Sequence, residues 1–162
     1  MAVLAIAVIP YDSSAATGDE TSGDDTADTE EPDDLGDDYV ATGLCDTGTG
    51  AASWRYDGGV LSIGGGSVGK ITRGSTTASW GDWKLTGITV GETPLTDISD
   101  YTPDDIFGSG MTLMINGNVR ADSGAFAALR PTTVTFSGEA TDLPAGTFSG
   151  CITLSTVSAG TL

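Results

Sequence analysis

The sequence Leu-Met-Ile-Asn-Gly at residues 113–117, Val-Thr-Phe-Ser-Gly at residues 134–138 and Val-Ser-Ala-Gly at residues 157–160 share one pattern. Apolar residues alternate with small or polar ones, and a glycine follows. The first two copies start 21 residues apart and the last two start 23 residues apart. Between them, Ala-Phe at 125–126 and Thr-Phe at 147–148 recur at a spacing of 22 residues. Each unit is predicted to consist of a short strand, a glycine turn, a loop and an aromatic residue at which the chain turns back toward the next strand.

A period of 21–23 residues predicts a solenoid, in which one unit cannot bury its apolar side alone and stacked units build a continuous core. The alternative is a β-sandwich whose strands are spaced by chance. Solenoid strands are parallel neighbours about 4.8 Å apart, whereas sandwich strands pair antiparallel. Strand pairing within residues 106–162 therefore distinguishes the two architectures.

The rest of the body, from residue 39, is also predicted to be mainly β. Two alternating segments, residues 53–56 and 60–63, flank Asp-Gly-Gly, which is the strongest short-range signal for a β-hairpin. A long helical period is missing, and only residues 124–129 favour a short helical turn. The further predicted strands are residues 84–90, 111–115, 133–136 and 154–157.

Two regions resemble the BspA-like leucine-rich repeat surface proteins. Residues 147–157 are similar to a repeat of the form A-F-x-x-C-x-x-L-x-x-I/V, with Phe148, Cys151, Leu154 and Val157 on its three-residue ladder. Residues 42–64 are similar to the β-hairpin module that precedes such repeats. The resemblance implies a short, imperfect leucine-rich-repeat-type β solenoid with parallel strands. It also implies a non-catalytic role in adhesion, in which an extended solenoid face binds a surface protein or a glycan.

The predicted organisation has four parts. They are a signal-peptide-like segment at residues 1–16, a disordered acidic spacer at residues 17–38, a β-hairpin module and irregular connection at residues 39–105, and solenoid turns at residues 106–162. Residues 1–16 are signal-peptide-like, because an apolar run precedes small residues at the positions for cleavage after Ala15 or Ala16. This run has no basic start and is too short to span a bilayer; a buried strand is its alternative. The chain stops after a repeat strand without a capping segment, which predicts a fragment of a longer array.

The excess of acidic residues is concentrated in the predicted disordered spacer at residues 17–38. The chain has a net charge of −17, and 11 of its 23 acidic residues lie between positions 19 and 38. Few apolar side chains and strong self-repulsion favour an extended, disordered segment. The spacing lacks the pattern of a calcium-binding loop.

Composition also excludes several functions. The chain has no histidine, which excludes a Ser-His-Asp triad and histidine-ligated metal sites. Six scattered bases argue against binding to nucleic acid or anionic membranes. We therefore expect a secreted or cell-surface protein with no cofactor, no nucleic-acid partner and no membrane insertion of the folded body.

Trp80 and Trp83 are the candidate ligand-binding residues. Exposed tryptophans could stack on sugar rings, which gives the alternative function: a secreted β-sandwich carbohydrate-binding module. At this spacing both could equally be core anchors, and the core role is favoured.

The acidic cluster of the body consists of Asp97, Asp100, Asp104 and Asp105. Paired carboxylates can hydrolyse glycosides, and several can hold calcium. However, Thr-Pro-Asp-Asp at residues 102–105 is typical of a turn or a helix cap. No catalytic, cofactor-binding or metal-binding residue is assigned.

Cys45 and Cys151 form an even pair in a chain with an export-like start, so a disulfide is permitted. In the resembled family the Cys151 position packs inward, and Cys45 lies in a different module. Two unpaired, packed thiols are therefore the favoured prediction.

Overall fold

The computed structural model describes residues 35–73, 80–138 and 143–159. The signal-like segment 1–16 and residues 17–34 of the predicted spacer lie outside the described residues. Within the described ranges the chain is mainly β. The elements are β1 (Tyr39–Leu44), β2 (Ser53–Asp57), β3 (Val60–Ile63), β4 (Gly66–Val68), β5 (Lys84–Val90), β6 (Thr93–Pro94), α1 (Pro103–Ile106), β7 (Met111–Asn116), β8 (Val119–Ala121), β9 (Pro131–Ser137) and β10 (Thr156–Ala159).

Eight strands form one mixed sheet in the order β10-β9-β7-β3-β2-β1-β5-β6, and β4 pairs with β8 in a second, two-stranded sheet. The half from β3 to β10 is parallel, and the half from β2 to β6 is antiparallel. β3 belongs to both halves, because it pairs antiparallel with β2 and parallel with β7. No closed solenoid is detected in the described part of the chain.

The predicted hairpin is confirmed. β2 and β3 pair antiparallel, with Tyr56 opposite Leu61. Gly58 and Gly59 connect them with φ angles of 52° and 82°. Positive φ at both central residues is the requirement of a type I′ turn, whose twist matches that of the flanking strands. Glycine meets this requirement without steric cost.

The three repeat strands are parallel neighbours, as the solenoid interpretation predicts and the sandwich alternative does not. Leu113 of β7 lies opposite Val134 of β9, which lies opposite Val157 of β10. β3 extends the same row, with Leu61 opposite Leu113. The sequence-based start of the last strand at residue 154 is wrong by two positions. The Leu154 N–H still donates to the Cys151 carbonyl at 3.2 Å, so the backbone is in a turn there.

The helical turn predicted at residues 124–129 is a series of tight turns instead of an α-helix. The Ala125 N–H donates to the Asp122 carbonyl at 3.1 Å, and the Leu129 N–H donates to the Phe126 carbonyl at 3.0 Å. These i→i+3 bonds are tighter than those of an α-helix. Among the described residues the one α-helix is the four-residue α1, at the predicted capping sequence.

In the described parts of residues 67–105, which are predicted as an irregular connection with one strand at 84–90, that strand is confirmed as β5 and further paired segments are present. These parts contain β5, β6 and most of β4, and β5 pairs antiparallel with β1 over six residues of that strand. β1 itself was missed, because Gly43 interrupts its pattern of alternating side chains. Since β3 pairs with β7, the segments 39–105 and 106–162 share one sheet.

The core lies between the inner face of the large sheet and a second layer made by β4, β8, α1 and the turns. Side chains of β2, β3 and β7 alternate between buried and more exposed positions, as expected when one face of a sheet is covered. β9 departs from strict alternation, and its register with β7 shifts near its start. No helix in the described ranges is both long and apolar enough to cross a membrane. The largest fully buried side chains are Trp54, Phe107, Phe126, Leu61, Ile63, Ile88, Ile106, Leu113, Ile115, Leu129, Val68 and Val119.

Candidate functional site

Trp80 and Trp83 are core residues, with only 4% and 3% of their surfaces exposed. Both rings stack on Trp54, at centroid distances of 5.7 and 6.2 Å. Their indole N–H groups are also satisfied within the protein. Trp80 donates to the Tyr101 carbonyl at 3.2 Å, and Trp83 donates to the Gly69 carbonyl at 2.8 Å. Neither ring offers an open face to a sugar.

The carboxylates of the acidic cluster have separate local roles. Asp97 accepts hydrogen bonds from the backbone N–H and hydroxyl of Ser99, at 3.0 and 2.8 Å. These bonds favour the charged form and lower the pKa of Asp97. Asp105 accepts a bond from the Thr102 N–H at 2.6 Å and so caps α1. In the described ranges no three His, Cys, Asp or Glu side chains form a group that could hold a metal ion.

Asp104 joins two parts of the chain. It forms an ion pair with Arg73 at 2.5 Å, and Arg73 also donates to the Ala128 carbonyl at 3.0 Å. Arg73 thereby ties α1 to the turn after β8. Asp104 and Asp105 border a cleft of about 510 Å³ beside Tyr56, but both carboxylates already have these structural partners.

Both cysteines are buried free thiols, as the sequence favoured. Burial raises the pKa of Cys45, and the nearby charge of Asp46 adds to this effect. Burial also raises the pKa of Cys151, whose thiol donates to the Phe126 carbonyl at 3.1 Å. Both groups therefore act as packed, unreactive side chains.

We expect both thiols of the native chain to react with iodoacetamide at pH 8 at least about tenfold more slowly than in urea, because a raised pKa lowers the thiolate fraction. Stability should also fall as the pH rises above the ordinary cysteine pKa of 9.0, since the unfolded chain then ionises at Cys45 while the folded chain does not. Mass spectrometry of the alkylated protein measures the rates, and C45A is the control for the pH effect. Fast labelling of either thiol in the native chain would contradict this prediction.

The outer face of the parallel half of the large sheet forms an extended surface, which we call the hydroxyl face. Its positions on β3 and β7 alternate with buried ones and point away from the core, and its positions on β9 and β10 lie opposite them in the strand register. None of them is charged, and seven of the ten carry a hydroxyl group. The hydroxyl face consists of Val60, Ser62, Thr112, Met114, Asn116, Thr133, Thr135, Ser137, Thr156 and Ser158.

Strand register arranges the hydroxyl face in rows. Thr112, Thr133 and Thr156 form one row, because each lies opposite the next on adjacent strands. Neighbours within a row are about 4.8 Å apart, and residues two positions apart on one strand are about 6.6 Å apart. In the next row the hydroxyl oxygens of Thr135 and Ser158 are 3.2 Å apart and share a hydrogen bond. The face is thus a regular array of polar groups.

The hydroxyl face continues into a groove on the antiparallel half of the sheet. This groove has a volume of about 440 Å³, and Ser62 belongs to both features. Its charged lining residue, Arg55, forms an exposed ion pair with Asp57 at 2.8 Å. Such a pair contributes little to stability, so Arg55 can exchange Asp57 for a ligand at little cost. The groove is also lined by Thr42, Gly43, Leu44, Ser53, Trp54, Gly64 and Thr86.

The tryptophans and carboxylates that are candidates from the sequence all have partners within the protein. The hydroxyl face was missed, although its signal is present in the repeats. In Val-Thr-Phe-Ser-Gly and Leu-Met-Ile-Asn-Gly the positions between the apolar residues are uncharged as well as polar or small. The outward positions of the repeat strands, which alternate with the apolar ones, therefore contain the signal for the hydroxyl face.

Comparisons with protein-family models, curated proteins and solved structures give no match to this chain. Its function therefore has to be inferred from its own residues.

Proposed function

We propose that this chain is an exported, non-catalytic cell-surface protein of the BspA-like leucine-rich repeat kind, which binds a surface protein or glycan through an extended face. The observation that carries the proposal is the hydroxyl face. The chain has a net charge of −17, yet ten adjacent outward positions on four strands carry no charge. An outer face of a sheet that only needs to be soluble usually carries charged side chains.

The repeat part of the proposal is supported by contacts between successive units. Phe126 and Phe148 stack with ring centroids 5.4 Å apart and planes at 19°. The Gly124 N–H donates to the Gly146 carbonyl at 3.1 Å, and the Phe126 N–H donates to the Thr147 carbonyl at 3.4 Å. Each turn therefore lies against the equivalent turn of the next unit. This stacking, together with the parallel strands, is what the opening turns of a leucine-rich-repeat-type solenoid require.

The chemistry of the hydroxyl face favours a neutral partner. Hydroxyl and amide groups both donate and accept hydrogen bonds, so the face suits the hydroxyl groups of a sugar or the backbone groups of a protein. Without charges it gains no electrostatic attraction, and affinity has to come from many small contacts over a wide area. An extended, regular face provides such contacts. The internal roles of Asp97, Asp104 and Asp105 are also consistent with a binding protein.

The test is binding of the full chain to arrays of glycans and extracellular proteins, with the double variant Thr133→Lys and Thr135→Lys. Both side chains project outward, so the variant should keep its fold while two bulky charges lower the affinity at least about tenfold. The matched control is Ala127→Lys and Ser149→Lys, which places two lysines at exposed positions in the turns. We expect the control to bind like the wild type. Equal binding by all three proteins would refute the proposal.

A further inference from the structure

The groove on the antiparallel half of the large sheet is a depression beside one arginine. Arg55 projects outward from β2, and in the strand register it lies between Thr42 of β1 and Ser62 of β3. In the next row, Ser53 lies beside Leu44 of β1. Because one long side chain stands among shorter ones, the surface of the sheet is depressed beside the guanidinium. The groove volume of about 440 Å³ lies within the range of about 300–1,000 Å³ that is typical of small-molecule sites.

The charge at the groove is positive. Among the described residues that line it, Arg55 is charged and none is acidic. Its Nη2 atom donates to Asp57 at 2.8 Å, and the two side chains are 56% and 54% exposed. A guanidinium has five N–H donors, and this bond engages one of them. Lys84 of β5 adds a second positive charge beside the groove, because it lies opposite Leu44 on the same face.

The uncharged groups of the groove suit a sugar. Four hydroxyl side chains line it, and hydroxyl groups both donate and accept hydrogen bonds, as those of a sugar do. Leu44, which is 37% exposed, offers an apolar surface to the C–H groups of a sugar ring. A Cβ atom at Gly64 would lie 3.1 Å from the Ser53 hydroxyl oxygen, so this glycine keeps that end of the groove open. The hydroxyl groups belong to Thr42, Ser53, Ser62 and Thr86.

We propose that the groove binds one acidic sugar unit, meaning a sugar ring that carries a carboxylate, of the glycan in the proposed function, on which this inference rests. Arg55 pairs with the carboxylate, because the planar guanidinium matches the two carboxylate oxygens. The hydroxyl side chains bind the hydroxyl groups of the ring, and Leu44 packs against its C–H groups. A carboxylate alone needs only Arg55, whereas the four surrounding hydroxyl groups provide partners for a ligand that itself carries several hydroxyls.

Strand register connects this acidic unit to the rest of the glycan. Ser62, next to Arg55, lies opposite Met114 of β7, which lies opposite Thr135 of β9. Thr135 in turn lies opposite Ser158 of β10. One row of outward side chains therefore extends from Arg55 across the whole hydroxyl face. A glycan whose acidic unit occupies the groove can follow this row, so the charged contact sets the direction in which the glycan lies.

The experiment compares methyl β-glucuronide with methyl β-glucoside, which differ only in having a carboxylate or a hydroxymethyl group on the same ring. Binding to the full chain is followed by NMR titration at about 0.15 M salt, where screening over about 8 Å limits the influence of distant acidic residues. We expect the glucuronide to bind at least about fivefold more tightly, because hydrogen bonds between charged groups are the stronger ones. The largest chemical-shift changes should lie in β1, β2 and β3.

Three results of this titration would overturn the proposal. The first is equal affinity for the two sugars, and the second is the largest chemical-shift changes outside the groove. The third is binding of acetate or of an acidic peptide as tight as that of the glucuronide, because the groove would then recognise a carboxylate without the sugar.

Variants of the ion pair should have opposite effects. Arg55→Gln should abolish the preference for the glucuronide, because a neutral amide forms no ion pair with a carboxylate. Asp57→Asn should raise the glucuronide affinity at least about twofold, because the guanidinium then has no competing carboxylate. Both should keep the fold, since so exposed a pair contributes little to stability. Arg120→Gln removes an exposed charge from β8 and is the matched control. A preference that survives R55Q, or an affinity that falls in D57N, would rule out this site.

Further readouts distinguish this inference from the proposed function. The double variant Thr133→Lys and Thr135→Lys alters the hydroxyl face but not the lining of the groove, so it should bind the glucuronide like the wild type. Glucuronide binding in the groove, without any ligand on the arrays, would support this site and overturn the proposed function. An array ligand that R55Q binds as well as the wild type does would overturn this site and leave the proposed function standing.

Discussion

Replacing Phe107 with alanine should lower the free energy of unfolding by about 3–5 kcal/mol, the usual cost of removing a fully buried phenylalanine. Phe107 directly follows α1, and 1% of its surface is exposed. Its ring makes edge contacts with four other aromatic rings, at centroid distances between 5.2 and 6.2 Å. Edge-to-face pairs add about 0.5–1.5 kcal/mol beyond buried area. The four partners are Trp54, Tyr56, Trp80 and Trp83.

The measurement is urea unfolding of the full chain followed by far-ultraviolet circular dichroism, because the fluorescence of nearby tryptophans would change for other reasons. The matched control is Phe136→Ala. Phe136 is half-buried near the end of the sheet and makes one edge contact, with Phe148 at 6.4 Å. We expect Phe136→Ala to lower the free energy of unfolding by less than half as much as Phe107→Ala does. If the two variants lost equal stability, the aromatic cluster around Phe107 would not be the centre of the core.

The second large effect is expected at Gly43, where β1 passes between β2 and β5. A Cβ atom at this position would lie 2.0 Å from the Lys84 carbonyl oxygen and 2.4 Å from the Trp54 ring. The carbonyl belongs to the paired strand β5 and cannot move without breaking the β1–β5 ladder. Gly43→Ala should therefore cost about 3 kcal/mol or more, at the upper end of the range for overpacked sites.

Gly87→Ala is the matched control for this prediction. Gly87 lies opposite Thr42 in the same β1–β5 ladder, and an added Cβ would come within 3.4 Å only of the Thr42 hydroxyl. That hydroxyl can move slightly, so we expect a cost below about 1 kcal/mol. The two variants are compared by measuring their melting temperatures side by side. Equal melting temperatures would contradict this prediction, because they would show that β1 and β5 can move apart at Gly43 without loss of stability.

Both predictions concern contacts that join distant parts of the sequence, and this is where sequence-based prediction reached its limit. The β2–β3 hairpin was predictable because its turn depends on Asp57, Gly58 and Gly59 alone. The capping role of Asp105 was predictable for the same reason. The parallel pairing of β7, β9 and β10 was one of two alternatives that the repeat period left open, and the resemblance to leucine-rich repeats favoured it over a sandwich.

The candidate site was less predictable than the fold. Trp80 and Trp83 fit both a binding surface and a core, and only their contacts with Trp54 and Phe107 decide between the two. The residues of the hydroxyl face are ordinary serines and threonines when considered singly. They become a surface only because four strands from separate parts of the chain are in register.

The sequence by itself therefore determined the local conformation: the turns, the alternation of inward and outward side chains and the repeat period. These depend on interactions between residues close in the chain or on side-chain chemistry. Only the tertiary structure decided that β1 pairs with β5, that β3 joins the hairpin to the repeats, and that both cysteines remain free. Those contacts connect residues up to about 50 positions apart, and their free energy comes from packing that exists only once the whole sheet has formed.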